Sequence, residues 1–398
     1  MTLKEELEIL RGEPIEVFTG DPMDIPCIET SDSEKLCKHP VVSVHMITYN
    51  HEPFIRQAIE GVMMQKTDFE FELVIGEDCS TDKTREICFE YQKKYPDKIR
   101  VLWWHENLRK VKHPAGGNGV RTYAHCRGEF IAYCEGDDYW VDPLKLQKQV
   151  DVMRSHPAVH FSICGAEIKN LVNGQSEIWN DGFSGFEPGV IPARKFALWA
   201  MFGKKPPRPW GSEFFAMTCT FMVRASVYEQ VRAEFDIFNW RLNIGDTTIA
   251  LAMASRGDVY YLEDVMVTHL IAPTGATCSN TAWASIDNKI VRMYFLNKIF
   301  GLSLETIPST IVKSLYVAIL MSFMRKDEKL QRPYVRQLLK CRAVRSVFMN
   351  RIAIWGAFVM IFNKLNPCTF RWLLRIANRI PMHWCPRELA RLYTQKEC

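Results

Sequence analysis

The chain lacks most of the short signatures that would identify a cofactor or a compartment at sight. Its thirteen cysteines are odd in number and dispersed, with no CxxC pair and no metal-ligand spacing. That excludes a cysteine zinc module and a disulfide framework, suits a reducing cytoplasm, and leaves each thiol as a small buried apolar residue. No GxGxxG follows the first strand-like run, and no GxxxxGK[ST] occurs anywhere. A dinucleotide-binding Rossmann protein and a P-loop NTPase are thereby disfavoured. The opening MTLKEELEIL carries acids where an apolar run would be needed, so no signal peptide is expected. The apolar run Ile352 to Phe362 has 11 residues, against roughly 20 for a spanning helix, and reads as a buried or interfacial helix.

What is present is ordinary globular composition with an uneven charge. The 398 residues are 47% hydrophobic and 24% charged, enough for a large core in two domains, or one domain with appendages. From Arg325 to Cys398 there are 16 Lys and Arg against 4 Asp and Glu, a balance of +12. The remaining residues hold 34 basic and 42 acidic groups, or −8. An acidic body with a basic tail is not the footprint of a nucleic-acid-binding fold, and no basic channel accompanies the acidic turns. It suits a protein that rests one end on an anionic membrane leaflet, peripheral to the inner face of the cell membrane. Helices packed on the body with a solvated basic face are the competing reading.

The order of elements is regular only in the middle. Residues 1–39 show no clear periodicity and read as an N-terminal extension. Val41 to Ile47 is a buried strand. Pro53 opens a helix with Ile55, Ile59, Val62 and Met63 on one face. Phe71 to Ile75 is a second strand, after which Asp82 is placed to cap a helix carrying Ile87 and Tyr91. Ile99 to Trp104 and Phe130 to Cys134 are the third and fourth strands. Strands alternating with helices of about 10 to 14 residues imply βαβ units, a mainly parallel sheet and right-handed crossovers. Asp142 at an N-cap and Pro143 at the first helical position open a further helix. Thr218 to Arg224 reads as a later strand near the site. The segments 113–119 and 180–215, rich in Gly and Pro, are loops, either substrate walls or plain connections. This gives a domain over 40–300 and a helical, basic C-terminal region over 301–398.

Chemistry gathers at the strand ends. The first strand runs into Thr48, Tyr49, Asn50, His51 and Glu52; the second into Glu77, Asp78, Cys79, Ser80, Thr81 and Asp82; the fourth into Glu135, Gly136, Asp137 and Asp138. Gly245-Asp246 precedes an apolar helix. Carboxylates crowded at the carboxyl end of a buried strand repel one another, and a bound cation is the usual relief. That edge is also where open α/β sheets place ligands. An acidic turn with no ligand is the plain alternative.

Taken together, SVHMITYNHEPFIRQAIEGVMMQ, ELVIGEDCSTDKT, GEFIAYCEGDDYWVDPLKLQKQV and GDTTIALAMASRGDVYYLEDVM make residues 40 to 270 resemble the family 2 glycosyltransferases of bacterial surface-polysaccharide synthesis. The resemblance implies a GT-A, Rossmann-like α/β fold, a nucleotide-sugar donor, and Mg²⁺ or Mn²⁺ as cofactor. It implies that Thr48, Asn50 and Glu52 line the nucleotide pocket and that Asp78 hydrogen-bonds the donor base, most often uracil. Asp138 would be the metal ligand, Asp137 would contact the ribose or help hold the metal, and Asp246 would be the catalytic base. The chain departs from the pattern twice. A Tyr-Arg-x-His segment of many relatives is replaced by VTHLIA, in which His269 reads as a structural histidine, with a metal or phosphate contact as the alternative. Asp246 follows Gly rather than Glu.

The expected activity is an inverting transfer from a nucleotide-sugar to a glycan or lipid-linked acceptor, with no covalent enzyme intermediate. A nucleotidyltransferase of similar fold would need a Gly-rich basic loop after the first strand, which TYNHEPF is not. A non-catalytic nucleotide-sugar-binding scaffold would have no need of Asp246.

Overall fold

In the computed structural model the protein is described over residues 27–111, 117–178, 187–202, 217–235 and 246–272, with a few isolated positions besides. The elements are β1 (Ile28–Thr30), β2 (Val42–Thr48), α1 (Ile55–Met63), β3 (Phe71–Glu77), α2 (Thr84–Lys94), β4 (Ile99–Trp103), α3 (Leu108–Val111), α4 (Asn118–Ala124), β5 (Phe130–Tyr133) and β6 (Tyr139–Trp140). They continue with α5 (Lys145–Ser155), β7 (Val159–Asn170), β8 (Gln175–Ile178), β9 (Gly189–Ile191), α6 (Ala193–Phe202), β10 (Met222–Arg224), α7 (Ala225–Phe235), α8 (Asp246–Ala254) and β11 (Asp258–Ile271). All of these lie within the compact unit Ile15–Ala284.

The strands form one mixed sheet in the order β1-β4-β3-β2-β5-β10-β7-β11-β6, with β8 on β7 and β9 on β11. Its first half is the expected parallel set: β4, β3, β2 and β5 run the same way. β2 and β3 are buried nearly throughout, with Val42, Val44 and Met46 beside Leu73, Val74 and Ile75 fully enclosed. Strands covered on both faces read as continuous apolar runs, which is why this half is plain in the sequence. The second half is mixed: β10 is antiparallel to both β5 and β7, and β11 is parallel to β7.

Several elements differ from their sequence reading for local reasons. The N-terminal extension contributes β1, which pairs antiparallel with the edge strand β4, and its Glu29 forks onto the half of Arg100 that faces it. Three residues are too few to show a period. The expected strand over Thr218 to Arg224 is a 3₁₀ turn, Thr218–Thr220, followed by β10. Thr220 turns its hydroxyl back to the Met217 carbonyl at 2.7 Å and so competes with the ladder. The helix expected from Pro143 starts at Lys145, because Asp142 Oδ1 accepts the Leu144 amide at 2.8 Å in a turn of its own. The loop read through Gly119 becomes helical from Asn118. The rest of that loop, most of 180–215, Gly245 and the basic region 301–398 lie outside the described residues.

Candidate active site

The parallel strands deliver their carboxyl ends to one edge, and register does the rest. β2 and β3 are matched from Val42↔Phe71 to Thr48↔Glu77, so the loops at 49–54 and 78–83 leave side by side. Asn50, in the left-handed region at φ 54°, donates its amide to Ser80 Oγ at 3.0 Å, and its Oδ1 accepts the Thr81 amide at 2.8 Å. Glu52 accepts the Lys83 amide at 3.1 Å and donates its own to Asp82 Oδ2. Asn50 and Glu52, two of the three residues expected to line a nucleotide pocket, thus also stitch these two loops together.

Asp78 is buried at the start of the second loop. Its Oδ1 accepts the Trp104 indole N–H and the Leu108 amide, each at 2.8 Å. Its backbone is fixed too, with the amide donating to the Thr48 carbonyl at 3.0 Å and the carbonyl accepting from Asn107 at 2.8 Å. Two N–H donors on one oxygen hold the carboxylate in a single orientation, as recognition of a heterocycle edge requires.

The turn after β5 leans on β2: the Cys134 amide donates to the His45 carbonyl and the Gly136 amide to the Ile47 carbonyl. Gly136 is obligatory here. A Cβ on it would lie 2.7 Å from Thr48 Oγ1 and 2.9 Å from His51 Nδ1. Those two atoms are buried without a hydrogen-bond partner among the described residues, so polar groups of the first loop face the acidic turn. His51 Nε2 stands 3.8 Å from Asp137 Oδ2.

β6 then pairs with β11, with Thr268 opposite Tyr139 and Val267 opposite Trp140. One step further along this antiparallel register sets His269 against Asp138. Nδ1 of His269 lies 2.9 Å from both Asp138 oxygens, and the Leu270 amide donates to Asp138 Oδ1 at 2.9 Å. Burial would depress the His269 pKa, but Asp138, by charge and hydrogen bond, with Asp137 and Asp246, raises it to about 9. The sequence left His269 between a structural residue and a metal or phosphate contact and gave no sign of its pairing with Asp138. The signal that could have found it is the register between two strands 131 positions apart.

Four carboxylates share the edge. Burial, then the charge of Asp138, pushes Glu135 and Asp137 upward. Asp246, the first residue of α8, is raised to about 6 by burial, with His269 opposing and Asp138 adding to the shift. Titrating groups displaced in this way, gathered at one strand edge, are the mark of a candidate functional site. Asp138, His269 and Cys219 of the 3₁₀ turn each place one donor atom within 4.8 Å of the others. An oxygen, a nitrogen and a sulfur in that spacing fit the coordination of one divalent ion. The expected site residues therefore fall into two groups. Asp137, Asp138 and Asp246 converge electrostatically on His269, while Asp78 lies on the far side of Thr48, whose carbonyl it engages and whose side chain meets Gly136.

The chain is similar to known proteins over part of its length. An uncharacterized protein of Mycobacterium bovis is 42% identical over 116 residues, 29% of this chain and 32% of that protein. TuaG of Bacillus subtilis, named for teichuronic acid biosynthesis and as a glycosyltransferase, is 32% identical over 128 residues, 32% of this chain and 46% of its own. The chain thus aligns with less than half the length of these relatives. The crystal structure of Staphylococcus aureus TarS 1–349 with UDP-GlcNAc superimposes with a TM-score of 0.50 at 18% identity, over 75% of this chain and 79% of that one. This is a likeness of fold. Residues 43–232, which carry Asp78, Asp137, Asp138 and Cys219 of the acidic edge, match the family described as Glycosyl transferase family 2.

Proposed function

We propose that this domain transfers a sugar from a nucleoside-diphosphate sugar, with uridine as the base, to a hydroxyl of a glycan or lipid-linked acceptor, inverting the anomeric centre. The observation that carries the reading is the electrostatic convergence of Asp246, from the start of α8, on the hydrogen-bonded Asp138–His269 pair, at the strand edge that also fixes the carboxylate of Asp78. Asp78 would take the N–H of the base, its other contacts already aligned by Trp104 and Leu108. Thr48 Oγ1 and His51 Nδ1 face the ribose and phosphates from the first loop, and Asp137 meets the ribose. Asp138 and His269 would hold a divalent cation, which when bound offsets the charge that develops on the leaving diphosphate.

Asp246 is the general base. With its pKa near 6 it is ionised at neutral pH yet basic enough to take the acceptor hydroxyl's proton as that oxygen attacks. Attack from the side opposite the leaving group needs no nucleophile from the protein, and among the described residues the nearby thiols of Cys134 and Cys219 are buried and pushed well above their ordinary range by burial first and then by Asp138. No described helix is long and apolar enough to cross a membrane. The surplus of 16 basic over 4 acidic residues beyond position 324 supports a peripheral seat on an anionic leaflet, where a lipid-linked acceptor would be presented.

Calorimetric titration with UDP and with GDP, each with and without Mn²⁺, tests the donor reading. Metal-dependent binding of UDP is expected. Absence of binding by either diphosphate would withdraw the roles given to Asp78 and Asp138.

A further inference from the structure

We propose that Cys219 is a thiolate ligand of the same cation, completing an Asp138–His269–Cys219 site that selects a thiophilic ion of the zinc class over Mg²⁺. The inference rests on Asp138 being a metal ligand, as proposed above, and departs from the Mg²⁺ or Mn²⁺ implied by the sequence resemblance.

Three elements distant in sequence bring the donors together: the turn after β5, the 3₁₀ turn before β10, and β11. One ligand atom from each lies within 4.8 Å of the other two. Asp138 is 3% and Cys219 0% exposed, so neither donor is placed there by the chance crowding of a polar surface. The other thiols in this part of the core have different company. Cys134 faces the Glu135 and Asp138 carbonyl oxygens, at 3.9 and 3.7 Å, and Cys164 the Thr220 carbonyl at 3.8 Å. Among the described cysteines, only Cys219 is grouped with both a carboxylate and an imidazole. Its position is held by the hydroxyl and amide of Thr220 on the Met217 carbonyl, which close the 3₁₀ turn.

A second feature of the same edge points to a cation. Glu135 Oε2 is buried with no hydrogen-bond partner among the described residues, two positions from Asp137 and three from Asp138. A buried carboxyl oxygen at this edge is therefore left without a donor by the described residues. The donor types then choose the ion. Mg²⁺ takes oxygen ligands almost exclusively, whereas a borderline ion accepts sulfur, nitrogen and oxygen together at about 2.0–2.3 Å. Three protein ligands would leave the ion open to a ligand from the substrate, as catalytic rather than structural zinc sites do. On binding, the Cys219 S–H bond and an N–H bond of the protonated His269 break, sulfur–metal and nitrogen–metal bonds form, and both protons leave to solvent; nothing is oxidised or reduced.

The test is Co²⁺ loading of the full-length protein, followed by absorption spectroscopy. The wild type should show a thiolate-to-cobalt charge-transfer band in the near ultraviolet, displaced by Zn²⁺ and not by a large excess of Mg²⁺. Cys219→Ser and Asp138→Asn should each lose the band, Cys134→Ser should keep it, and Zn²⁺ affinity should fall at least about 100-fold in Cys219→Ser. Co²⁺ bound in an Asp138-dependent way with no thiolate band would overturn the role of Cys219 while leaving Asp138 a ligand. That result is read on the wild type, so it stands even if Cys219→Ser folds poorly. Displacement of Co²⁺ by stoichiometric Mg²⁺ would overturn the selectivity. Failure to bind Co²⁺ at all would remove the cation from Asp138 as well.

Discussion

Replacing Gly61 by alanine should destabilise the protein, although the same change in most helices does the reverse. Gly61 lies inside α1, where alanine is worth about 0.8–1 kcal/mol over glycine in helix propensity. The added Cβ, however, would meet the backbone of Trp140, with its N and O both at 2.8 Å. Trp140 has no room to yield. Its side chain is among the largest fully buried ones, the Lys145 ammonium sits 4.3 Å over its ring, and its backbone pairs with Val267. Overpacking of this kind costs about 1–3 kcal/mol, so the net change should be a loss of about 1 kcal/mol, up to about 2. Gly119 in α4 supplies the control, since a Cβ there finds nothing within 4 Å. Gly119→Ala should gain about 0.5–1 kcal/mol. Urea denaturation of both variants measures the difference, expected at about 2 kcal/mol between them. Strand β6 follows Asp138 directly, so Gly61→Ala should also weaken cation and UDP binding, which Gly119→Ala should leave alone. A Gly61→Ala protein as stable as Gly119→Ala would show that β6 shifts freely, and the rigidity assigned to the Asp138–His269 contact would go with it.

Four other outcomes are expected. Asp246→Asn should lower kcat by about 10²- to 10⁴-fold while leaving UDP affinity within a few-fold. In the wild type, kcat/KM should rise with pH through an acid limb near 6 as Asp246 loses its proton, since only the ionised carboxylate accepts one; a profile flat from pH 5 to 8 would argue against it as the base. Trp104→Phe keeps the ring but deletes the indole N–H that aligns Asp78, and should weaken UDP and UMP binding alike by about 10-fold with kcat little changed, as equilibrium titration and donor kinetics would report. Glu72 is buried against Arg100, Arg127 and the Ser43 hydroxyl, so Glu72→Gln should cost about 3 kcal/mol in urea denaturation, near the low end for a broken buried pair because Glu29 still holds Arg100. A loss under 1 kcal/mol would mean that the two arginines are satisfied by solvent instead.

The parts of this fold that were legible are those decided locally. The buried runs at Val42–Thr48 and Phe71–Glu77 announce a parallel sheet because both faces are covered, and the acids that follow them stand at the carboxyl edge whatever the rest of the chain does. Asp78, Asp137 and Asp138 could be placed for that reason. What the sequence did not disclose depends on pairing between distant strands. β10 and β11 complete the sheet after long segments with little period, and the partnership of Asp138 with His269 exists only because β6, two residues long, is in one register with β11. A slip of one residue would turn the imidazole to the opposite face. Cys219 was hidden twice over, by Thr220, whose hydroxyl turns back to the Met217 carbonyl where a strand was expected, and by the rule that a lone cysteine is a buried apolar residue. The same rule holds for Cys88 and Cys164 in this structure, both buried and raised by desolvation before anything else. What separates Cys219 is its neighbours, a carboxylate from 81 positions before it and an imidazole from 50 after. Local pattern therefore marks the edge of the sheet where chemistry is done, while the donor set that determines which ion works there is a property of tertiary register.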